Sequence, residues 1–285
     1  MPLATLKDVL DKAMHADYGV PAFNFHNLEF VRGVMRAAEE LRAPVILAIA
    51  PVSIEHAGLD ELAALARVHA LRAPVPVVVH LDHGRDIDVV RRSIDLGLSS
   101  VMYDGSDLPI EENIRRTRAV VEAAHRAGVS VEGEIGTVPK HEDVASGALT
   151  AEQLRQYFTR PEEARRFVEE TGVDALAVAV GTVHRMPLQS ARIDRQRLRE
   201  IHEAVSVPLV FHGCTGMVDE EYRVAYSLSV KKFNIGTRLV KAFELGLQAE
   251  QQAGKPVLAC LKGGTNAVYD AAKNRITVLN CAGRA

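Results

Sequence analysis

The sequence predicts a (β/α)8 TIM barrel with extra C-terminal helices. Short runs rich in Val, Ile, Ala and Phe alternate with longer amphipathic stretches, the pattern of buried parallel strands joined by crossover helices. Eight such units fit within the 285 residues. Gly-rich or polar residues follow nearly every run, so polar chemistry collects at strand C-termini, which in a closed barrel converge on one face. A doubly wound open sheet is disfavoured by the eight units and by the lack of a GxGxxG turn after the first strand.

The expected strands are Ala22–Phe25, Val45–Ala50, Val77–Leu81, Ser100–Tyr103, Ser130–Glu134, Ala175–Val180, Leu209–His212 and Lys232–Ile235. Ahead of them, Leu3, Leu6, Leu10 and Met14 recur at helical spacing, and the acids Asp8 and Asp11 make this segment a structural helix rather than a signal-peptide core. After the last strand a long helix over Lys241–Ala253, a further helical stretch and a short tail are expected. The long connection from Ile135 to about Pro161 contains a candidate mobile loop, Val138–Leu149, since loops of this length are often lids or binding elements. No composition shift, linker or repeat beyond the β/α period divides the chain, so residues 1–285 are read as one barrel domain.

Composition narrows the function. A formal charge of −3 gives no broad positive field for nucleic acid, and the arginines are scattered beside acids. Charges or prolines interrupt every apolar run before the roughly 18 residues needed to cross a bilayer, which points away from membranes. Cys214, Cys260 and Cys281 are odd in number and lack CxxC spacing, which argues against a disulfide framework and a thiolate zinc knuckle and fits a reducing cytoplasm. With 47% hydrophobic residues the chain can build a large core without staples.

Three of the 11 histidines fall at the ends of different strands: His83 after strand three, His184 after strand six and His212 on strand seven. Barrel closure would bring them together, and three imidazoles that leave one position open form a standard catalytic zinc site. Asp82 stands beside His83, with the two side chains expected to diverge. It is placed either to exchange a proton with a substrate oxygen or to orient an imidazole. His80 is expected to be packed and hydrogen-bonded in the interior. Glu132 and Glu134 share a face of strand five and Asp104 ends strand four. Carboxylates directed into a barrel need partners, so Asp104 and Glu134 offer a metal an alternative position, and Glu132 is equally readable as a structural ion pair. Gly213-Cys214-Thr215-Gly216 and Gly236-Thr237 follow strands seven and eight, where barrels often hold phosphate, although tight turns need glycine too.

These segments together resemble the class II, metal-dependent fructose-bisphosphate and tagatose-bisphosphate aldolases. The matching pieces run in order along nearly the whole chain: Pro21-Ala22-Phe23-Asn24, His80-Leu81-Asp82-His83-Gly84, Ser100-Val101-Met102-Tyr103-Asp104-Gly105-Ser106, Glu132-Gly133-Glu134-Ile135-Gly136, Gly181-Thr182-Val183-His184, His212-Gly213-Cys214-Thr215-Gly216 and Phe233-Asn234-Ile235-Gly236-Thr237. The resemblance implies zinc on His83, His184 and His212, with Asp82 as the acid–base group at the aldehyde-derived oxygen. It further implies Glu142 as a loop carboxylate exchanging a proton with the dihydroxyacetone phosphate carbon, and Asn234 as hydrogen-bonding the enediolate. Gly213, Thr215, Gly236 and Thr237 match the phosphate cradle, and Asn24 falls among the substrate-binding positions. A sugar phosphate substrate, a monovalent cation site and a homodimer or homotetramer are also implied.

The chain departs from the family pattern at several positions. Pro139-Lys140 stands where Gly-Gly commonly precedes the loop acid, and Arg185-Met186-Pro187-Leu188 follows His184 in place of Gly and a Tyr-Lys pair. Ala50 and Val52 occupy positions where Ser and Gly are expected near the aldehyde-side phosphate. Arg185 either projects into the pocket, where its bidentate fork favours a carboxylate or phosphate, or turns to solvent and pairs with a surface acid; the implied substrate is fructose or tagatose 1,6-bisphosphate or a related ketose 1-phosphate. Two other readings compete. A zinc hydrolase of the amidohydrolase kind needs two histidines one residue apart on strand one, where this chain has Ala22-Phe23-Asn24-Phe25-His26. A non-catalytic barrel is opposed by the retained Asp82, Glu142 and three histidines.

Overall fold

The computed structural model describes residues 3–137, 156–182 and 193–285. Eight parallel strands close into a barrel in sequence order, each paired to the next and the last to the first. They are β1 (Val20–Asn24), β2 (Val45–Ile49), β3 (Val77–Gly84), β4 (Ser100–Tyr103), β5 (Ser130–Ile135), β6 (Ala175–Val178), β7 (Leu209–Phe211) and β8 (Val230–Ile235). Nearly every strand residue is buried because helices cover the outer face and side chains fill the interior, which explains the uninterrupted apolar runs.

The described helices are α1 (Leu6–Met14), α2 (Leu28–Glu40), α3 (Pro51–Ala57), α4 (Leu59–Arg72), α5 (Ile87–Asp95), α6 (Ile110–Arg126), α7 (Pro161–Thr171), α8 (Arg195–Ala204), α9 (Asp219–Ser227), α10 (Thr237–Gln252) and α11 (Val257–Val278). Local chemistry fixes several starts. Thr5 and Asp8 form a reciprocal capping box on α1, while Asn27, Asp86 and Asp194 cap α2, α5 and α8 by accepting from backbone N–H groups. The extra C-terminal helices α10 and α11 form a hairpin. Its arms approach closely at two glycines, since a Cβ on Gly246 would lie 2.6 Å from the Gly263 carbonyl oxygen.

All eight expected strands are present, with shifted ends that have physical causes. β6 stops at Val178 because the next amide, Ala179 N–H, turns to Thr159 Oγ1 at 2.9 Å. β7 stops at Phe211, two residues before Gly213 takes a left-handed conformation at φ 67°. β8 starts at Val230, immediately after Ser229 reverses the chain at φ 62°. β3 runs on to Gly84 across a register shift between Leu81 and Gly84. The long helix after β8 begins at Thr237, earlier than the expected Lys241. The candidate loop Val138–Leu149 lies outside the described residues.

Candidate active site

The irregularity in β3 builds the centre of the site. Successive residues of a regular strand face opposite sides, so Asp82 and His83 were expected to diverge. Instead His83 sits at φ 50°, a left-handed conformation costly for a residue with a side chain, and the ladder resumes only at Gly84 opposite Tyr103. Gly84 permits this because a Cβ there would lie 2.6 Å from the Met102 carbonyl oxygen. Both side chains consequently reach the cavity, and donor atoms of Asp82, His83 and His212 come within 4.8 Å of one another.

Asp82 is 3% exposed and held at both oxygens: Asn24 Nδ2 donates to Oδ2 at 2.8 Å and Asn234 Nδ2 donates to Oδ1 at 2.8 Å. Burial works against its ionisation, but the neighbouring positive charges, His83 foremost, prevail and hold its pKa far below the ordinary carboxylate range. His212, following β7, is 1% exposed. Its Nε2 pairs with Glu132 Oε1 at 3.0 Å, and Asn234 Nδ2 stands 3.1 Å from its Nδ1. Burial and the neighbouring His83 lower its pKa, favouring the neutral imidazole that a metal requires.

His83 also belongs to a second donor group, with Asp104 and Glu134. Its Nδ1 is 3.1 Å from Asp104 Oδ2 and 3.6 Å from Glu134 Oε2. Burial alone would lower the His83 pKa, but Asp82, Asp104 and Glu134 raise it to about 9. Glu134 is pushed up to about 8, first by burial and then by the nearby carboxylates. Among the described residues its Oε2 is buried without a hydrogen-bond partner. A carboxylate-rich pocket that draws a proton onto an imidazole and leaves an acid oxygen unpaired suits a cation, and imidazole nitrogen with carboxylate oxygen suits zinc. The donor set thus fits the implied metal.

A cavity of about 390 Å³ opens over these groups at the strand C-termini. Of the expected site residues, Asn24, Asp82, His83, His212, Gly213, Thr215, Asn234, Gly236 and Thr237 line it together. Asp104 and Glu134 adjoin it through His83. Glu142, His184 and Arg185 lie outside the described residues. The glycine segments read as an anion cradle lie at the cavity wall: Gly213 leads into a single 3₁₀ turn, Cys214–Gly216, and Gly236 precedes the first turn of α10. A Cβ on Gly236 would lie 2.9 Å from Asn24 Oδ1 and disturb the residue that holds Asp82. Ala50, Val52, His26 and Val240 complete the wall. His26 is tied to Ser53 Oγ at 2.9 Å, and burial lowers its pKa.

Two parts of the site were not read from the sequence. Asn24 appeared there only as a substrate-binding position, whereas it also clamps Asp82. Glu132 was readable as a structural ion pair; it makes one with Lys232 at 2.8 Å, but its other oxygen takes the His212 ring. The inward alternation of Glu132 and Lys232 on their strands was the available signal. His80 is packed as expected, 0% exposed and bonded through Nδ1 to Ser100 Oγ at 2.9 Å.

A closed β/α barrel with histidines and carboxylates grouped at its strand C-termini, where they could hold a cation, has the architecture of a barrel enzyme. The chain belongs to the class II fructose-bisphosphate aldolase family, whose model matches residues 4–284, and is therefore an aldehyde-lyase rather than a hydrolase or a non-catalytic barrel. Among solved structures it is similar to the YdjI aldolase from Escherichia coli K12, at 31% identity and a TM-score of 0.89, over 99% of both chains. It is also similar to a protein provisionally described as a fructose-1,6-bisphosphate aldolase, from Coccidioides immitis, at 30% identity and a TM-score of 0.84, covering 98% of this chain and 97% of that one. The fructose-bisphosphate aldolase of Campylobacter jejuni shares the fold at 22% identity and a TM-score of 0.83, over 99% of this chain and 97% of that one.

Proposed function

We propose that the chain is a zinc-dependent aldolase that reversibly cleaves a ketose phosphate to dihydroxyacetone phosphate and an aldehyde. The observation that carries this reading is the Asp82 carboxylate, clamped by Asn24 and Asn234 beside His83 and His212 in one cavity. His83, His184 and His212 would hold zinc, which when bound supplies a Lewis acid for the substrate carbonyl and the charge that develops on it. Asp82, kept ionised and oriented, accepts the proton of the C4 hydroxyl as the C3–C4 bond breaks and returns it in the reverse direction. Asn234 donates through Nδ2 to Asp82 and His212, and the same amide can turn one hydrogen to the enediolate oxygen of the substrate. Glu142 would exchange the proton at the dihydroxyacetone phosphate carbon. Backbone N–H groups around Gly213, Thr215, Gly236 and Thr237 would take the phosphate of that half.

At the far end of the substrate, the apolar Ala50 and Val52 and the neutral His26 support a distal group other than phosphate, where Arg185 would receive an anion such as a carboxylate. The matching experiment compares kcat/KM for fructose 1,6-bisphosphate, tagatose 1,6-bisphosphate and ketose 1-phosphates ending in a hydroxyl or a carboxylate, in wild type and Arg185→Gly. A ketose 1-phosphate should be the best wild-type substrate, with the ranking altered by the substitution. Fructose 1,6-bisphosphate as best substrate with an unchanged ranking would contradict this specificity.

The enzyme is further read as one barrel domain working in the cytoplasm as a homodimer or homotetramer. Val257 and Leu258, 73% and 80% exposed at the start of α11, support a subunit contact there. Among the described residues no helix is long and apolar enough to cross a membrane.

A further inference from the structure

Below the cavity, ionisable side chains from two strands and from the loop after β7 converge on a single carboxylate on a third strand. Glu132 on β5 accepts from His212 Nε2 at 3.0 Å and lies 2.8 Å from Lys232 Nζ on β8 and 3.7 Å from His80 Nε2 on β3. Glu132, Lys232 and His80 are 0% exposed. Burying such charges is costly, and a buried ion pair is often no more stable than an apolar replacement. Here the arrangement has a second consequence.

A carboxylate oxygen only accepts, so the hydrogen between Glu132 and His212 resides on Nε2. On the opposite side of the ring, Asn234 Nδ2 contacts both Asp82 Oδ1 at 2.8 Å and His212 Nδ1 at 3.1 Å. Asp82 is likewise a pure acceptor, which identifies the Asn234 atom as the amide nitrogen, with one hydrogen for Asp82 and the other directed at Nδ1. Two independent contacts therefore require the same tautomer, in which Nδ1 carries a lone pair on the side of Asp82 and the cavity. We propose that Glu132 is a positioning residue for metal binding: it fixes His212 as the Nε2–H tautomer, so that the single Nδ1 lone pair, which accepts the Asn234 hydrogen in this structure, is available to an ion that displaces that hydrogen, while Lys232 anchors Glu132 and balances its charge. This rests on the reading of His212 as a zinc ligand. A merely structural pair would make the Glu132–Lys232 contact without directing the second carboxylate oxygen at the ring N–H of a ligand.

The test measures zinc affinity of metal-stripped protein by competition with a chromophoric chelator, for wild type, Glu132→Gln, the double variant Glu132→Gln/Lys232→Met, and His212→Ala. A long-range ¹H–¹⁵N spectrum of the metal-free histidines reads the tautomer directly. Glu132→Gln should bind zinc about 10–100-fold more weakly, with wild-type circular dichroism, and wild-type His212 should appear as the Nε2–H form. The double variant removes both buried charges and remains readable where the single variant does not fold; the same weakening is expected of it. Wild-type zinc affinity in either folded variant, or an Nδ1–H His212 in the wild type, would overturn the proposal. Undiminished zinc binding by His212→Ala would instead show that the ligand assignment itself is wrong, and the proposal would fall with it.

Discussion

Asn24 donates to Asp82 Oδ2 at 2.8 Å across the 58 residues that separate them in sequence, leaving the carboxylate with one asparagine on each oxygen. The clamp orients Asp82 without neutralising it, as a proton-transferring group needs. Asp82→Ala should therefore lower kcat by about 10²–10⁴-fold, with zinc content close to wild type if the ligands are the histidines. Parallel loss of zinc and activity would make Asp82 a ligand instead. The 4.8 Å grouping of Asp82 with His83 and His212 makes this measurement decisive.

Gly84→Ala tests whether the β3 irregularity builds the site. The added Cβ would fall 2.6 Å from a backbone oxygen of Met102 and 2.7 Å from Leu81 Cδ2, and backbone cannot yield as a flexible side chain can. A loss of about 1–3 kcal/mol in urea unfolding is expected, with a fall in kcat as His83 shifts. Unchanged stability and activity would mean that the bulge is not required.

His80 gives a pH prediction for the metal-free protein. Burial, with Lys232 adding to it, lowers its pKa from the ordinary 6.5 to about 3, so the folded chain keeps it neutral while the unfolded chain protonates it. Its contribution to stability is thus complete above about pH 6.5 and is lost as pH falls through the window toward 3. His83 and the carboxylates titrate in both proteins, so the difference between wild type and His80→Gln reports His80 together with its coupling to Glu132 and Asp82. That difference should change with pH by at most about 1.4 kcal/mol per unit between pH 6.5 and 5. Parallel stability curves would show that His80 is not held neutral.

The barrel was legible because strands covered on both faces leave continuous apolar runs and end in polar residues at one rim. Strand eight was legible only from Lys232 because adjacent lysines argue against a buried strand. The fold accommodates both: Lys231 Nζ donates to the Ala16 and Tyr226 carbonyls, and Lys232 meets Glu132. His83, His212, Asp82 and the glycine segments were legible as residue types at strand ends. Their mutual orientation was not, because the left-handed backbone at His83 leaves no mark in side-chain pattern. The Glu132–His212 bond joins residues 80 apart, and only barrel closure reveals it.

Zinc dependence of the cleavage is measured by following dihydroxyacetone phosphate release from a ketose phosphate while metal-stripped protein is titrated with zinc, in wild type and His212→Ala. No turnover is expected without metal, activity should rise to a plateau at one zinc per chain, and His212→Ala should not recover. Full turnover by the metal-free wild type, or a His212→Ala enzyme that responds to zinc as the wild type does, would contradict zinc-dependent cleavage through His212.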